Sequence, residues 1–296
     1  MTDPRNPQAQ QMGDESMARN LAHQAQAIWP QEQRLLDRYD LAGELRILDL
    51  GCGTGEISRR LAARYPQATI LGVDILESNL ERARGMDDSG GRIAYAHGDA
   101  FALQAPDADF DLVACRHMSQ AVPDFEQVLA EITRVLRPGG WLHLLSEDYG
   151  MLHFPASDPG FDPDRFWNAN AVAFMHGIGC DGRIGRHTPM LLERAGYTDI
   201  AMDYVVVDTL RVPRETFAGI IAAWRDGYAE PLAGASGREP NEVRADFDRM
   251  IDAILTPPGY AVWQVPVASA RRQGRAVDAI TPRAASRPLA KHAVSR

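Results

Sequence analysis

Three observations predict an α/β fold, a doubly wound and mostly parallel sheet of seven strands. Strand-length apolar runs alternate with helix-period segments from Arg46 to Ser146. Glycine clusters fall where strands end. The chain has 296 residues, 45% of them hydrophobic, enough to bury one large core with additions.

The elements follow in order. Glu15 to Tyr39 reads as one or two helices, with Leu21, Ala25, Ile28, Leu35 and Leu36 at helical spacing and Pro30 as an interruption. Arg46–Leu50 is the first strand and Glu56–Tyr65 the first crossover helix. Thr69–Val73 and Leu76–Arg84 repeat the pair. Ile93–His97 and Phe110–Cys115 are the next strands. Phe125–Val135 is a helix stopped by Pro138-Gly139-Gly140, and Trp141–Ser146 is the fifth strand. Alternation of this kind buries a parallel sheet between helices and gathers ligands beyond the carboxyl ends of the strands. Beyond Ser146 the pattern breaks into an irregular stretch with five aromatics and three prolines. Residues 149–196 are therefore expected to form a cap inserted over the ligand edge, with a helix at Pro189–Ala195. A strand at Ile200–Thr209, helices at Arg214–Tyr228 and Asn241–Leu255, and a strand at Tyr260–Ala268 complete the domain, assigned to residues 15–270.

Composition narrows the function. No apolar run approaches the length of a membrane span, and the polar start lacks the basic-then-apolar order of an export signal. Cys52, Cys115 and Cys180 are scattered without paired or metal-ligand spacing, which fits reduced thiols in a cytoplasm. The net charge is −9, but the tail from Arg271 carries seven basic residues against one acid, +6, so the rest stands at −15. Such a body repels phosphate backbones, which argues against a nucleic-acid substrate. Residues 1–14 and 271–296 are expected to be disordered tails. No membrane contact is expected; a homodimer is left open.

The strongest motif is Ile47-Leu48-Asp49-Leu50-Gly51-Cys52-Gly53-Thr54-Gly55 at a strand-to-helix turn. Its glycines allow a sharp bend and close approach of a ligand, and the helix N-terminus favours a carboxylate. Asp74 closes the second strand, where a carboxylate can accept from both hydroxyls of a ribose. A dinucleotide fingerprint would place Gly or Ala where Glu56 stands, so the nicotinamide reading is disfavoured. His97-Gly98-Asp99-Ala100-Phe101 follows the third strand, where a carboxylate can accept from an exocyclic amine and Phe101 can pack beside an adenine. Asp109–Val113 leads to Arg116-His117 at the next strand end.

With these motifs the chain resembles the class I S-adenosylmethionine-dependent methyltransferases, a Rossmann-like family, and in particular the small-molecule branch with the ubiquinone and menaquinone biosynthesis enzymes. The likeness covers roughly residues 44–146. It implies S-adenosyl-L-methionine as cofactor, with Asp49 and the loop of Gly51, Cys52, Gly53 and Gly55 around its methionine part. It implies Asp74 on the ribose, Ile75 on the adenine, Asp99, Ala100 and Phe101 at the adenine edge, and the backbone near Arg116 closing over the nucleoside. It also implies an N-terminal helical lid, residues 15–42, around Trp29, with Trp29 as a core anchor the alternative. The acceptor would be a small molecule methylated at O, N or C, with specialised metabolism among the settings. A non-methylating protein of the same fold and a protein methyltransferase are the alternatives.

Methyl transfer from a sulfonium needs alignment above all, and a base only where the acceptor must lose a proton. His117 and His153 are the candidate bases, ahead of His176 and His187; His23, His97 and His143 fall within helix or strand patterns and read as structural. Glu147 or Asp148 can orient a base or bind an amine, or be solvated strand-end acids. Tyr149, Phe154, Phe166 and Trp167 can wall a flat or cationic substrate, or form the cap's own core. Arg183 and Arg186 can pair with a substrate acid or with local carboxylates. No metal site is expected.

Overall fold

The computed structural model describes residues 4–155 and 160–274. The central sheet runs β3 (Ile93–His97), β2 (Thr69–Asp74), β1 (Arg46–Leu50), β4 (Phe110–Arg116), β5 (Leu136–Leu145), β8 (Val262–Arg272) and β7 (Tyr197–Asp208). The first five pair in parallel, while β8 is antiparallel to both β5 and β7. A two-residue β6 (Leu152–His153) continues the β5 side of β8, giving eight strands where the sequence predicts seven.

Successive residues point to opposite faces of a strand, and both faces here are apolar. Ile47, Leu112 and Ala114 pack with Ile57 and Leu61 of α3 (Glu56–Arg64) on one side. Leu48, Val113 and Cys115 pack with Val128 and Ile132 of α5 (Phe125–Val135) and Leu192 of α8 (Ile184–Arg194) on the other. The crossover helix α4 (Glu77–Gly85) follows β2. Pro138-Gly139-Gly140, expected as a turn, lies within β5, where the register slips between the Phe110 and Leu112 pairings.

A helical lobe sits over the carboxyl ends of the strands. It combines α2 (Glu15–Glu32), α6 (Pro163–Phe166), a wide π turn (Trp167–Val172), α7 (Ala173–Gly177), and the hairpin of α9 (Arg214–Ser236) and α10 (Pro240–Leu255). The cap assigned to 149–196 is thus differently composed. Residues 184–194 form an ordinary sheet-packing helix, and the lobe's larger part comes from 214–255, inserted between β7 and β8. Tyr149, Phe154, Phe166 and Trp167 pack on Trp224, Phe217 and Phe247 from that hairpin. Pro30 does not interrupt α2. It removes one hydrogen bond, to the carbonyl of exposed Gln26, which water can satisfy.

Two tail boundaries also move. Residues 9–12 form a helical turn, α1, and buried Gln8 accepts a hydrogen bond from the Tyr228 hydroxyl at 2.8 Å. Arg271 and Arg272 belong to β8; Arg271 Nε donates to the Gly139 carbonyl at 2.9 Å and Arg272 to that of Leu136. The remaining basic tail lies outside the described residues. Among those described, no helix is long and apolar enough to cross a membrane.

Phe247 is 1% exposed and joins α10 to α6 and the π turn. Phe247→Ala should cost about 3–5 kcal/mol, read as a lower denaturant midpoint at unchanged m-value. A loss below about 1 kcal/mol would contradict close packing there.

Candidate active site at the sheet's carboxyl edge

The first turn of the site follows β1. Gly51, Gly53 and Gly55 have φ of 74°, 52° and 75°, in the left-handed region that favours glycine. At Gly53 a Cβ would lie 2.6 Å from Leu21 Cδ1, and at Gly55, the N-cap of α3, 2.4 Å from the Tyr95 hydroxyl. The loop is therefore pressed between α2 and the sheet. Asp49 is buried beneath it, accepting from Ser58 Oγ at 2.6 Å. Burial pushes its carboxyl up to about 6, although that bond opposes the shift. At the end of β2, Asp74 accepts from the Gly53 N–H at 2.8 Å and the Leu76 N–H at 2.9 Å; burial raises its pKa as well.

These residues frame a cleft with about 790 Å³ of atom-free space, part of it open to solvent. Gly51, Gly53, Asp74, Ile75, Ala100, Arg116 and His117 line it, and an adjoining hollow touches Asp49, Cys52, Arg116 and His117. The other expected contacts fall elsewhere. Asp99 binds the Phe101 N–H at 2.9 Å and pairs with Arg5 at 3.0 Å, and Phe101 lies under the Arg5 guanidinium. Gly98 and Ala100 reach the cleft in their place. Gly55 turns the chain into α3 without lining the cleft. Trp29 packs against the core beneath α3, so the roof comes from Asn6, Gln8, Met12 and Leu21 instead.

The fourth strand end carries the main polar constellation. Arg116 Nε donates to Glu32 Oε1 at 2.7 Å, His143 Nε2 donates to the same oxygen at 2.9 Å, and the Tyr39 hydroxyl donates to His143 Nδ1 at 2.7 Å. Burial alone would raise the Glu32 pKa; the Arg116 charge and the His143 bond overcome it and hold the carboxyl at about 2. His143 is structural, as expected. Next to Arg116, His117 has a φ of 53°, a left-handed conformation that costs roughly 1–3 kcal/mol outside glycine. Its N–H donates to the Leu145 carbonyl at 2.9 Å, and its carbonyl accepts from Gln120 Nε2 at 2.7 Å. His117 Nδ1 lies 2.7 Å from Glu147 Oε1, while Nε2 has no protein partner. In the neutral imidazole, with the carboxylate accepting from Nδ1–H, the lone pair sits on Nε2.

His117 and Leu21 wall both the cleft and a further cavity lined by Gln120, Glu147, Tyr149, Trp224 and Tyr228. Glu147 is buried, not solvated, and orients the histidine. Asp148 pairs with Arg186 through bonds of 2.5 and 2.8 Å, so this arginine serves a local carboxylate. The glycine loop around it holds the site backbone, Gly185 N–H donating to the Glu147 carbonyl at 2.9 Å and Tyr149 N–H to that of Gly182 at 3.0 Å. His153 does not join the site. Its side chain is exposed on β6, against a separate groove, because β6 turns along the β8 edge and away from the cleft. His176 is exposed, and His187 pairs with Asp181 at 2.6 Å. Sequence reading missed Glu32, Gln120, Trp224 and Tyr228. Only the i, i+4 spacing of the last two on one helix was a signal.

A family model described as a methyltransferase domain matches residues 47–140, the strands and turns that build the cleft. These matched residues are the ones that carry the resemblance to class I S-adenosylmethionine-dependent methyltransferases. A demethylmenaquinone methyltransferase of Deinococcus radiodurans is 42% identical over 103 residues, 34% of this chain and 42% of that protein. The 27-O-demethylrifamycin SV methyltransferase of Amycolatopsis mediterranei is 39% identical over 120 residues, 38% and 43% of the two. The chain thus spans less than half the length of these relatives. In fold it is similar to Haemonchus contortus phosphoethanolamine N-methyltransferase 2 in complex with S-adenosyl-L-methionine. The TM-score is 0.56 at 17% identity, covering 92% of this chain and 60% of that one. The matched segment lies between α2 and the lobe's later helices, so none of the lobe's helices falls within it.

Removing the Glu32 carboxylate strands Arg116 and His143 in the interior. Glu32→Ala should destabilise the fold by about 3–5 kcal/mol, measured by chemical denaturation. Stability unchanged from wild type would contradict the tie.

Proposed function

We propose that this chain transfers a methyl group from S-adenosylmethionine to a small-molecule acceptor, with His117 as the proton acceptor. The observation that carries the reading is the position of His117. One imidazole, oriented by Glu147 and with Nε2 unpartnered, faces both the cleft beside the glycine turn and the cavity under the helical lobe.

The donor set of the cleft fits the cofactor. Asp49 offers a buried carboxylate to an α-ammonium, the amides at the start of α3 suit a carboxylate, and Arg116, whose Nη2 is unpartnered, reinforces that charge preference. Asp74 stands where ribose hydroxyls donate, and Val73, Ile75, Ala100 and Val122 give the apolar walls a flat base needs. Bound there, the cofactor supplies an electrophilic methyl on a sulfonium whose leaving group departs neutral. The protein's share is to align, to exclude water and to take a proton. Alignment can be worth roughly 7–11 kcal/mol in favourable cases. Leu21, Met12 and Gln8 close the roof against water, and His117 Nε2 receives the acceptor's proton while Glu147 stabilises the resulting imidazolium.

Turnover is tested by screening small acceptors with methyl-labelled cofactor. His117→Ala should lower kcat roughly 10²–10⁴-fold with cofactor affinity nearly unchanged; full turnover in the variant would remove His117 from its role. Cofactor affinity should also depend on pH. The Asp49 carboxyl titrates at about 6, so its charge, and its hold on an ammonium, is complete above that pH and lost below it. Affinity for S-adenosylhomocysteine should therefore fall about tenfold by one pH unit below 6, and Asp49→Asn should flatten the profile. A wild-type profile that is flat through this range would contradict the assignment.

A further inference from the structure

The acceptor cavity has a one-sided polarity. Its wall at Gln120, Glu147 and His117 presents three buried atoms without protein partners: Gln120 Oε1, Glu147 Oε2 and His117 Nε2. The two oxygens accept hydrogen bonds, and Nε2 does so in the neutral imidazole. The orientation of the Gln120 amide is fixed, because its Nε2 donates to the His117 carbonyl at 2.7 Å. Asn20 Oδ1 and Gln24 Oε1, also without partners, line the same cavity. Among the described residues, no arginine or lysine lines it, nor the hollow that adjoins it in the lobe. Glu147 is 2% exposed, and its protein partner is an imidazole. A buried carboxylate with a bare oxygen is costly unless a donor or a cation meets it. The Tyr149 and Tyr228 phenols report the same sign of potential: burial raises their pKa first, and the Glu147 charge raises it further.

The far side is aromatic. Tyr149, Trp224 and Tyr228 belong to both hollows, and Trp167, Phe174 and Phe247 close the deeper one. Tyr149 and Trp167 stack at 5.8 Å between ring centres, with Trp224 edge-on to both at 6.0 and 5.7 Å. Ring faces attract a cation by about 0.5–2 kcal/mol and accept flat apolar bodies through burial.

We propose, on the methyltransferase reading above, that the acceptor is an amine with an apolar or aromatic body, bound as its ammonium between Glu147 and the Tyr149–Trp224–Tyr228 wall. Carboxylate and phosphate acceptors find no cation among the described residues of this cavity and face the Glu147 carboxylate instead. The reaction balances at His117. The ammonium gives one proton to His117 Nε2. The freed nitrogen lone pair then forms the N–CH₃ bond while the S–CH₃ bond breaks, its electron pair staying on sulfur as a neutral thioether. The products are a methylated ammonium and an imidazolium, which returns its proton to solvent.

The test uses three probes of similar shape: phenethylamine, 2-phenylethanol and 3-phenylpropionate. Each is titrated into the whole 296-residue chain by calorimetry, with and without saturating S-adenosylhomocysteine. Phenethylamine should bind at least about tenfold tighter than either other probe, a gap of about 1.4 kcal/mol, and Glu147→Gln should erase that gap while S-adenosylhomocysteine still binds. Amine affinity no greater than that of the alcohol or the carboxylate, including no detectable binding of all three, overturns the proposal. Failure of S-adenosylhomocysteine to bind would overturn the methyltransferase reading instead, and the titrations without it still report the cavity's preference.

Discussion

The buried pair between Glu32 and Arg116 is the joint on which the site depends. Glu32 closes α2, and Arg116 closes β4, so one charge-assisted bond of 2.7 Å fixes the N-terminal helix over the carboxyl edge of the sheet. Two ionic groups taken out of water repay their desolvation only when further bonds satisfy them. His143 and Tyr39 supply those bonds from β5 and the 3₁₀ turn Leu35–Tyr39. Three consequences follow in space. Leu21 comes down on Gly53, Gln8 and Met12 reach the roof of the cleft, and His117, the residue after Arg116, is held where its backbone would not otherwise rest.

The site divides its labour between two halves of the fold. The parallel sheet contributes polar and backbone groups at strand ends: Asp49, the glycine turn, Asp74 and Arg116. The helical lobe contributes shape and aromatic surface from Trp167, Trp224 and Tyr228. Glu147 and Tyr149, just past β5, stand between them. On the proposed reading, this separation lets the lobe vary without disturbing the glycine turn. It also fits the left-handed backbone at His117: a side chain at the seam faces both halves, whereas an extended continuation of β4 would turn it to one face of the sheet.

What the sequence revealed follows from how local each interaction is. The β1 turn was readable because its glycines, the following helix and Asp74 all lie within one βαβ unit, and His117 and Glu147 because both stand at strand ends. Glu32 gave no signal. An acid near the end of an amphipathic helix looks solvated until Arg116 arrives from another part of the chain. Asp99 and Phe101 sit at the expected strand end, but a local turn and Arg5 claim them. His153 follows β5 by only eight residues in sequence, yet β6 carries it along the sheet edge. The lobe was misassigned for a similar reason. Tyr149 to Trp167 holds enough aromatics to look like a self-contained cap, while its packing partners come from α9 and α10 on the far side of β7.

A cradle that works only with the Asp74 carboxylate in place is tested most directly by calorimetric titration of the 296-residue chain with S-adenosylhomocysteine, alongside Asp74→Asn. Saturable one-to-one binding, weakened at least about tenfold in the variant, is the predicted result. No binding by the wild type, or equal affinity in both proteins, would contradict it.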